Sequence, residues 1–254
     1  MSSRISKVFK SLRLNKRSAF IPYITAGDPD IELSQMLLES LPLGGADIIE
    51  IGMPFSDPMA DGPSIQESSL RSLNNGHDMN KTLMMIERFR IKDKETPIVL
   101  MGYFNPILQF GIKSFIKKCE EVGVDGLIVV DLPIEHSDEI CIPAQKSGID
   151  FINFITPTTN KERLKQILNV SSGFLYFVSI SGITGTKAPD NKIIEELVKN
   201  VKQNTDLPIG VGFGIKSSSQ VEEISDFSDA IVVGSAIVNK VYSLKIKNFD
   251  NDLI

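Results

Sequence analysis

Short apolar runs alternate along this chain with longer segments in which apolar residues return every three or four positions. The runs cover residues 19–25, 47–51, 98–101, 126–130, 150–155, 174–178, 209–211 and 230–233. Between them, helical spacing marks 31–41, 65–73, 80–91, 112–122, 139–146, 161–168, 191–201 and 218–224. Strands apolar on both faces, each followed by a helix, imply a parallel sheet covered by helices. Eight such units in 254 residues predict an α/β fold, a single (β/α)8 TIM barrel forming one domain over 1–254. An open dinucleotide-binding sheet is the weaker alternative, since no G-x-G-x-x-G opens the first crossover. Ahead of the first run, Ile5, Val8, Phe9 and Leu12 also recur at helical spacing. Residues 1–17 are therefore expected to add an N-terminal helix that caps one end of the barrel.

Composition narrows the partners. A net charge of -5, with lysine and arginine spread along the chain, supplies no basic field for nucleic acid or an anionic membrane. No segment approaches the roughly 20 apolar residues of a membrane span. Cys119 and Cys141 lack C-x-x-C spacing and clustered histidines, which fits buried thiols in a reducing, cytoplasmic setting.

A barrel of this kind collects function at the C-terminal ends of its strands. Those ends carry Thr25-Ala26-Gly27-Asp28, Gly52, Gly102-Tyr103-Phe104-Asn105, Asp131, Thr156, Ser179, Gly212-Phe213-Gly214 and Gly234-Ser235. The glycines after the seventh and eighth runs let backbone N–H groups approach an anion, and a helix start adds its dipole. They predict a phosphate site at Gly212, Phe213, Gly214, Gly234 and Ser235. The glycine-hinged stretch 179–187 suits a lid with further donors at Gly182 or Gly185.

The chemistry end is more unusual. The second run contains an acid, Glu50, and opens into a proline-rich loop with Asp57 and Asp61. Strand alternation puts Ile48, Glu50 and Gly52 on one face, expected to be the interior. A buried carboxyl there is either a general acid–base group with a raised pKa or a structural acid bonded to a hydroxyl. Asp57 and Asp61 are each a candidate or a turn carboxylate, and spacing does not choose between them. No lysine lies in any of the eight runs, so a Schiff base has no obvious nucleophile. His77 and His136 lack metal-ligand neighbours at useful spacing, so no metal site is expected. Tyr23, Met101, Tyr103, Ile128, Phe154, Tyr176 and Phe213 flank the expected pocket and leave room for a flat apolar group. The residues describe a carboxylate acid–base enzyme acting on a phosphorylated substrate with an aromatic part.

The stretch from Glu50 through Met53-Pro54-Phe55-Ser56-Asp57-Pro58-Met59-Ala60-Asp61-Gly62-Pro63 to Gln66 resembles the signature of the tryptophan synthase α subunit family. Ile21-Pro22-Tyr23-Ile24-Thr25-Ala26-Gly27-Asp28-Pro29, Gly182-Ile183-Thr184-Gly185, Gly212-Phe213-Gly214-Ile215 and Gly234-Ser235-Ala236-Ile237-Val238 extend the resemblance over nearly the whole chain. The resemblance implies a lyase of tryptophan biosynthesis that cleaves indole-3-glycerol phosphate to indole and D-glyceraldehyde 3-phosphate. It casts Glu50 as the acid–base residue, Asp61 as the carboxylate on the indole N–H, and Thr184 as the lid residue closing over Asp61. Tyr176 matches a tyrosine beside the glutamate, and Gly185 lies in the lid motif. It further implies an αββα heterotetramer with a β subunit that carries pyridoxal phosphate, this chain itself holding no cofactor. Pro54, Asp57, Asn105 and Gln109 fall at that partner's contact surface. Ile180 departs from relatives that have arginine there. Two rivals remain: the barrel enzyme that makes indoleglycerol phosphate, which would want lysines at strand ends, and a catalytically weak α subunit acting mainly to activate its β partner.

Overall fold

A computed structural model describes residues 3–178, 191–212, 214–215 and 217–246. Nine parallel strands run in the order β5-β4-β3-β2-β1-β9-β8-β7-β6. They are β1 Ala19–Thr25, β2 Ile49–Gly52, β3 Ile98–Gly102, β4 Gly126–Val129, β5 Asp150–Phe151, β6 Asn153–Ile155, β7 Leu175–Val178, β8 Ile209–Gly212 and β9 Ala230–Val233. The two edges, β5 and β6, are consecutive pieces of one stretch of chain separated only by Ile152, whose N–H still reaches Leu127 O at 2.9 Å. The sheet is thus closed on itself, a (β/α)8 barrel whose fifth strand changes partner halfway along.

Alternation along each strand sorts side chains into an inside and an outside. Ile21, Ile48, Val99, Ile128, Tyr176, Ala230 and Val232 form an interior cluster. Ile49, Ile51, Ile98, Leu100, Leu127 and Val129 pack outward on helices of one half, and Leu175, Phe177, Ile209, Val211 and Ile231 do so on the other. The N-terminal helix α1, Arg4–Leu14, is amphipathic as its spacing requires. It sends Ile5, Phe9 and Leu12 into the interior cluster, plugging the end at which the strands begin. Arg4 fastens it by donating to Asp125 at 2.8 Å; Asp125 also accepts from Arg90 at 2.7 Å and from the Ile98 N–H at 2.8 Å.

The outer helices follow the expected order, with two additions. Helix α5, Phe104–Phe110, stands where only a strand end was expected, and α11, Ser235–Ile246, closes the described chain. The α5 N-terminus has no cap from Tyr103; the Asp131 carboxylate at the end of β4 accepts the Phe104 N–H at 2.7 Å instead. Helix α3, Pro63–Asn74, departs from its apolar pattern. It buries Ser68, Ser69 and Ser72, while Leu70 is 59% exposed. Serines permit this close seat because they bond across the interface: Ser72 Oγ donates to Ala26 O at 2.6 Å, and Ser68 Oγ lies 2.6 Å from Thr25 Oγ1. Cys119 and Cys141 are free and buried. Among the described residues no helix is long and apolar enough to cross a membrane.

Candidate active site

Glu50 enters the barrel interior between Ile48 and Gly52 and is 1% exposed. Its Oε2 makes no hydrogen bond among the described residues, so no hydroxyl there holds that oxygen. Burial, and then the nearby Asp61 charge, disfavour its ionised form and push its carboxyl up to about 8. A carboxylic acid here stays protonated at neutral pH.

Asp61 lies at the end of the loop that leaves β2, and the loop is held at both ends. At its start, the Met53 N–H donates to Met101 O at 2.8 Å, and Phe55 packs its ring 5.3 Å from that of Tyr103. At its end, the Asp61 N–H turns back to Pro58 O at 3.0 Å, and the Ala60 N–H donates to the Tyr103 hydroxyl at 3.0 Å. The same hydroxyl donates to the Asp61 carboxylate. Burial pushes Asp61 up to about 6, and this hydrogen bond opposes the rise. The two acids therefore differ by environment: one is held protonated while the other is mostly ionised at pH 7. Asp57, by contrast, is exposed at the loop tip, where its carboxylate accepts from its neighbour Ser56 Oγ at 2.5 Å and its carbonyl accepts the Met59 N–H at 2.9 Å. The structure separates two aspartates that spacing left equivalent.

Phenols line the floor. Tyr23 on β1 and Tyr176 on β7 are buried, and their ionisation is pushed up by burial and by the acids beside them. Each lies across a glycine of the next strand. A Cβ on Gly52 would stand 2.0 Å from the Tyr23 hydroxyl, and one on Gly212 would meet the Tyr176 hydroxyl. Phe154 meets Tyr176 edge-on at 5.2 Å, and Met101 and Ile128 extend the apolar wall. Gly214 has a positive φ of 73°. Gly234 precedes α11 and its carbonyl accepts the Ile237 N–H at 2.9 Å, and Ser235 is the exposed first residue of that helix. Thr184, Gly185, Phe213, Gly182 and Ile180 lie outside the described residues.

Pro54 is half-buried, and Asn105 and Gln109 are exposed on α5, the helix that follows Tyr103. Asn105 also lines a groove of about 340 Å³ with Asp131, His136 and Glu139. A second cavity, of about 310 Å³, opens between the β4 and β6 ends and α8, Lys161–Val170; neither Glu50 nor Asp61 lines it. Among the described residues no three His, Cys, Asp or Glu side chains are placed to hold a metal ion. Thr25 and Ser68 join the site from behind. Thr25 was visible as a polar strand end, but nothing in the helical spacing marked Ser68.

A closed parallel barrel with two unlike carboxyls and three phenols at its C-terminal mouth defines a (β/α)8 barrel protein with a polar pocket at the ends of its strands. The family model described as "Tryptophan synthase alpha chain" matches residues 9–252. Tryptophan synthase subunit alpha from Legionella pneumophila str. Paris superposes with a TM-score of 0.92 at 38% identity, over 98% of this chain and 93% of that one. A chain of tryptophan synthase from M. tuberculosis, in an open form, gives 0.87 at 34% identity, over 96% and 93%. The chain belongs to the tryptophan synthase alpha chain family.

Proposed function

We propose that this chain cleaves indole-3-glycerol phosphate to indole and D-glyceraldehyde 3-phosphate, with Glu50 as general acid and base and Asp61 as the charge-stabilising carboxylate. The observation that carries the reading is the pairing of a protonated, unpartnered Glu50 with a mostly ionised Asp61 in a family whose name is that of the synthase. Glu50 gives its proton to the indole carbon that bears the side chain, leaving positive charge toward the ring nitrogen. Asp61 accepts the ring N–H and stabilises that charge. The Glu50 carboxylate then takes the proton of the adjacent side-chain hydroxyl. The carbon–carbon bond breaks, its electron pair returns to the ring, and the released carbon becomes the aldehyde. Glu50 recovers the proton it gave, so the cycle needs no further proton donor.

In this reading Tyr23, Tyr103, Tyr176 and Phe213 border the indole. Gly212, Gly214, Gly234 and Ser235 hold the phosphate, Thr184 is the lid residue that closes over Asp61, and Gly185 belongs to the same lid. Pro54, Asp57, Asn105 and Gln109 meet a β subunit in an αββα assembly, and pyridoxal phosphate belongs to that partner rather than to this chain. One barrel domain, 1–254, works in the cytoplasm. The test is indole release by the purified chain, with and without an added β subunit, beside Glu50→Gln. Release that the variant abolishes supports the reading. Release by neither preparation, with the β reaction still stimulated, favours an activator that does no chemistry.

A further inference from the structure

Two helices begin where the two ends of the proposed substrate would lie. Helix α3 starts from its N-cap Gly62, directly after Asp61, and the Gln66 side-chain amide donates back to the Asp61 carbonyl at 2.8 Å. Helix α11 starts at Ser235, directly after Gly234. The two helices pack against each other, and both pack on β1. Away from the pocket a single side chain ties them. Arg71, in the last turn of α3, lays its guanidinium carbon 3.9 Å from the centroid of the Tyr242 ring, about two helical turns along α11 from Ser235. The same guanidinium grips the loop after β1. Its Nε donates to Asp28 Oδ1 at 2.7 Å and its Nη2 to Asp28 Oδ2 at 2.9 Å, and Asp28 is buried. Neither the acid–base step nor the phosphate site uses these groups.

We propose that Arg71 is a positioning residue: by holding α3 to α11 through Tyr242 and to the β1 loop through Asp28, it fixes the span between Asp61 and the phosphate-binding start of α11. The proposal rests on the substrate reading above. Ser68, Ser72 and Asn75 already seat α3 on the end of β1, bonding to Thr25 Oγ1, to the Ala26 carbonyl and to the Pro29 carbonyl. What Arg71 adds is the second helix. Arginine suits this place because its planar fork satisfies both Asp28 oxygens while its face stays free to lie on a ring. A lysine ammonium would have to choose between them. The span matters because the substrate has an aromatic end and a phosphate end. A ligand held at both ends gains over its separate halves only when the two sites stand at the right distance, so that the second contact forms at high effective concentration. Helices free to shift against each other reduce that gain while each site keeps its own groups.

The test measures the binding of indole, of inorganic phosphate, and of an indole joined to phosphate by a saturated three-carbon chain, which cannot be cleaved. The readout is the affinity of the joined probe relative to the product of the affinities of its halves, a ratio that a general loss of stability does not move. Tyr242→Leu removes the ring and leaves the Arg71–Asp28 pair, Arg71→Met removes both ties, and Tyr242→Phe keeps the ring face. Tyr242→Leu and Arg71→Met should each weaken the joined probe about five- to tenfold, the lower range of coupling between sites, with each half bound as in the parent. Tyr242→Phe should bind all three as the parent does. If Arg71→Met fails to fold, its Asp28 left buried and unpaired, Tyr242→Leu decides alone. Joined-probe binding that Tyr242→Leu leaves unchanged, or that falls only as far as the halves fall, overturns the proposal. A parent protein that binds the joined probe no more tightly than indole overturns the substrate reading itself, and the proposal with it.

Discussion

Glu50 is kept protonated at a cost to the fold, and that cost can be measured. Its carboxyl is raised from 4.5 to about 8, so between those values the folded chain binds a proton that the unfolded chain has lost. Stability from this group is therefore present at low pH and falls as pH rises through that window. Glu50→Gln should raise the melting temperature at pH 8, by a difference on the order of a few kcal/mol in stability that vanishes near pH 4.5. Equal melting of the two proteins across that range would mean that Glu50 is not desolvated as its burial requires. The same substitution should cut turnover by about 10²–10⁴-fold with binding largely kept. In the parent, kcat/KM should fall below about 6, where Asp61 protonates, and above about 8, where Glu50 ionises, the two limbs belonging to the pair. Asp61→Asn should remove turnover at little cost in folding, because the side chain ends a loop; gross destabilisation of that variant would give Asp61 a structural role.

At the scale of elements, the site depends on what closes the opposite end of the barrel. Ile5 is fully buried, and its Cδ1 lies 3.1 Å from where a Cβ on Gly126 would be, so α1 fills the interior beneath the strands that carry Glu50 and Tyr176. Ile5→Ala should cost about 2–5 kcal/mol, read by denaturant unfolding, with the pH limbs of activity in place. A cost under about 0.5 kcal/mol would show that the plug is dispensable. The strands and most of the helices were legible as apolar runs and helical spacing, because each run is buried on both faces and each such helix carries an apolar stripe. The interior address of Glu50 followed from alternation together with its place near the C-terminal end of a barrel strand. Helix α5 was not legible, because its cap comes from Asp131 at the end of another strand. The buried face of α3 was hidden for a related reason: Ser68 and Ser72 read as solvent-facing until the β1 loop supplies their partners. The broken fifth strand left no mark either, since Ile152 is as apolar as its neighbours and only barrel closure makes it change partner. Spacing left Asp61 and Asp57 equivalent and only the resemblance named Asp61; the group that gives Asp61 its different surroundings, Tyr103, lies over forty residues further along the chain. What escaped the sequence was in each case a bond between distant segments.

For the whole molecule, the loop that carries Asp61 and the surface proposed for the β subunit share one residue. Tyr103 is the N-cap of α5, receives the Ala60 N–H, donates to Asp61 and stacks on Phe55. Asn105 and Gln109 project from that same helix, and the loop tip beside it is open, with Met59 75% exposed. A partner seated on α5 and the tip would bury Met59 and hold Tyr103 and Asp61 in one arrangement. Stabilising that arrangement needs only a difference in partner affinity between a fixed and a loose loop, of the 1–3 kcal/mol typical of coupled sites. Hydrogen exchange at the amides of residues 56–61 should therefore slow on addition of the β subunit, most at Ala60, whose N–H is bonded to Tyr103. Tyr103→Phe should abolish that extra protection at Ala60 while leaving α5 protected. Asp57→Ala, at the tip and away from the acids, should weaken stimulation of indole release by the partner more than the rate of the chain alone. If the amides of 56–61 exchange at the same rate with and without the β subunit, the loop is not what the partner orders, and any stimulation must reach Asp61 from elsewhere.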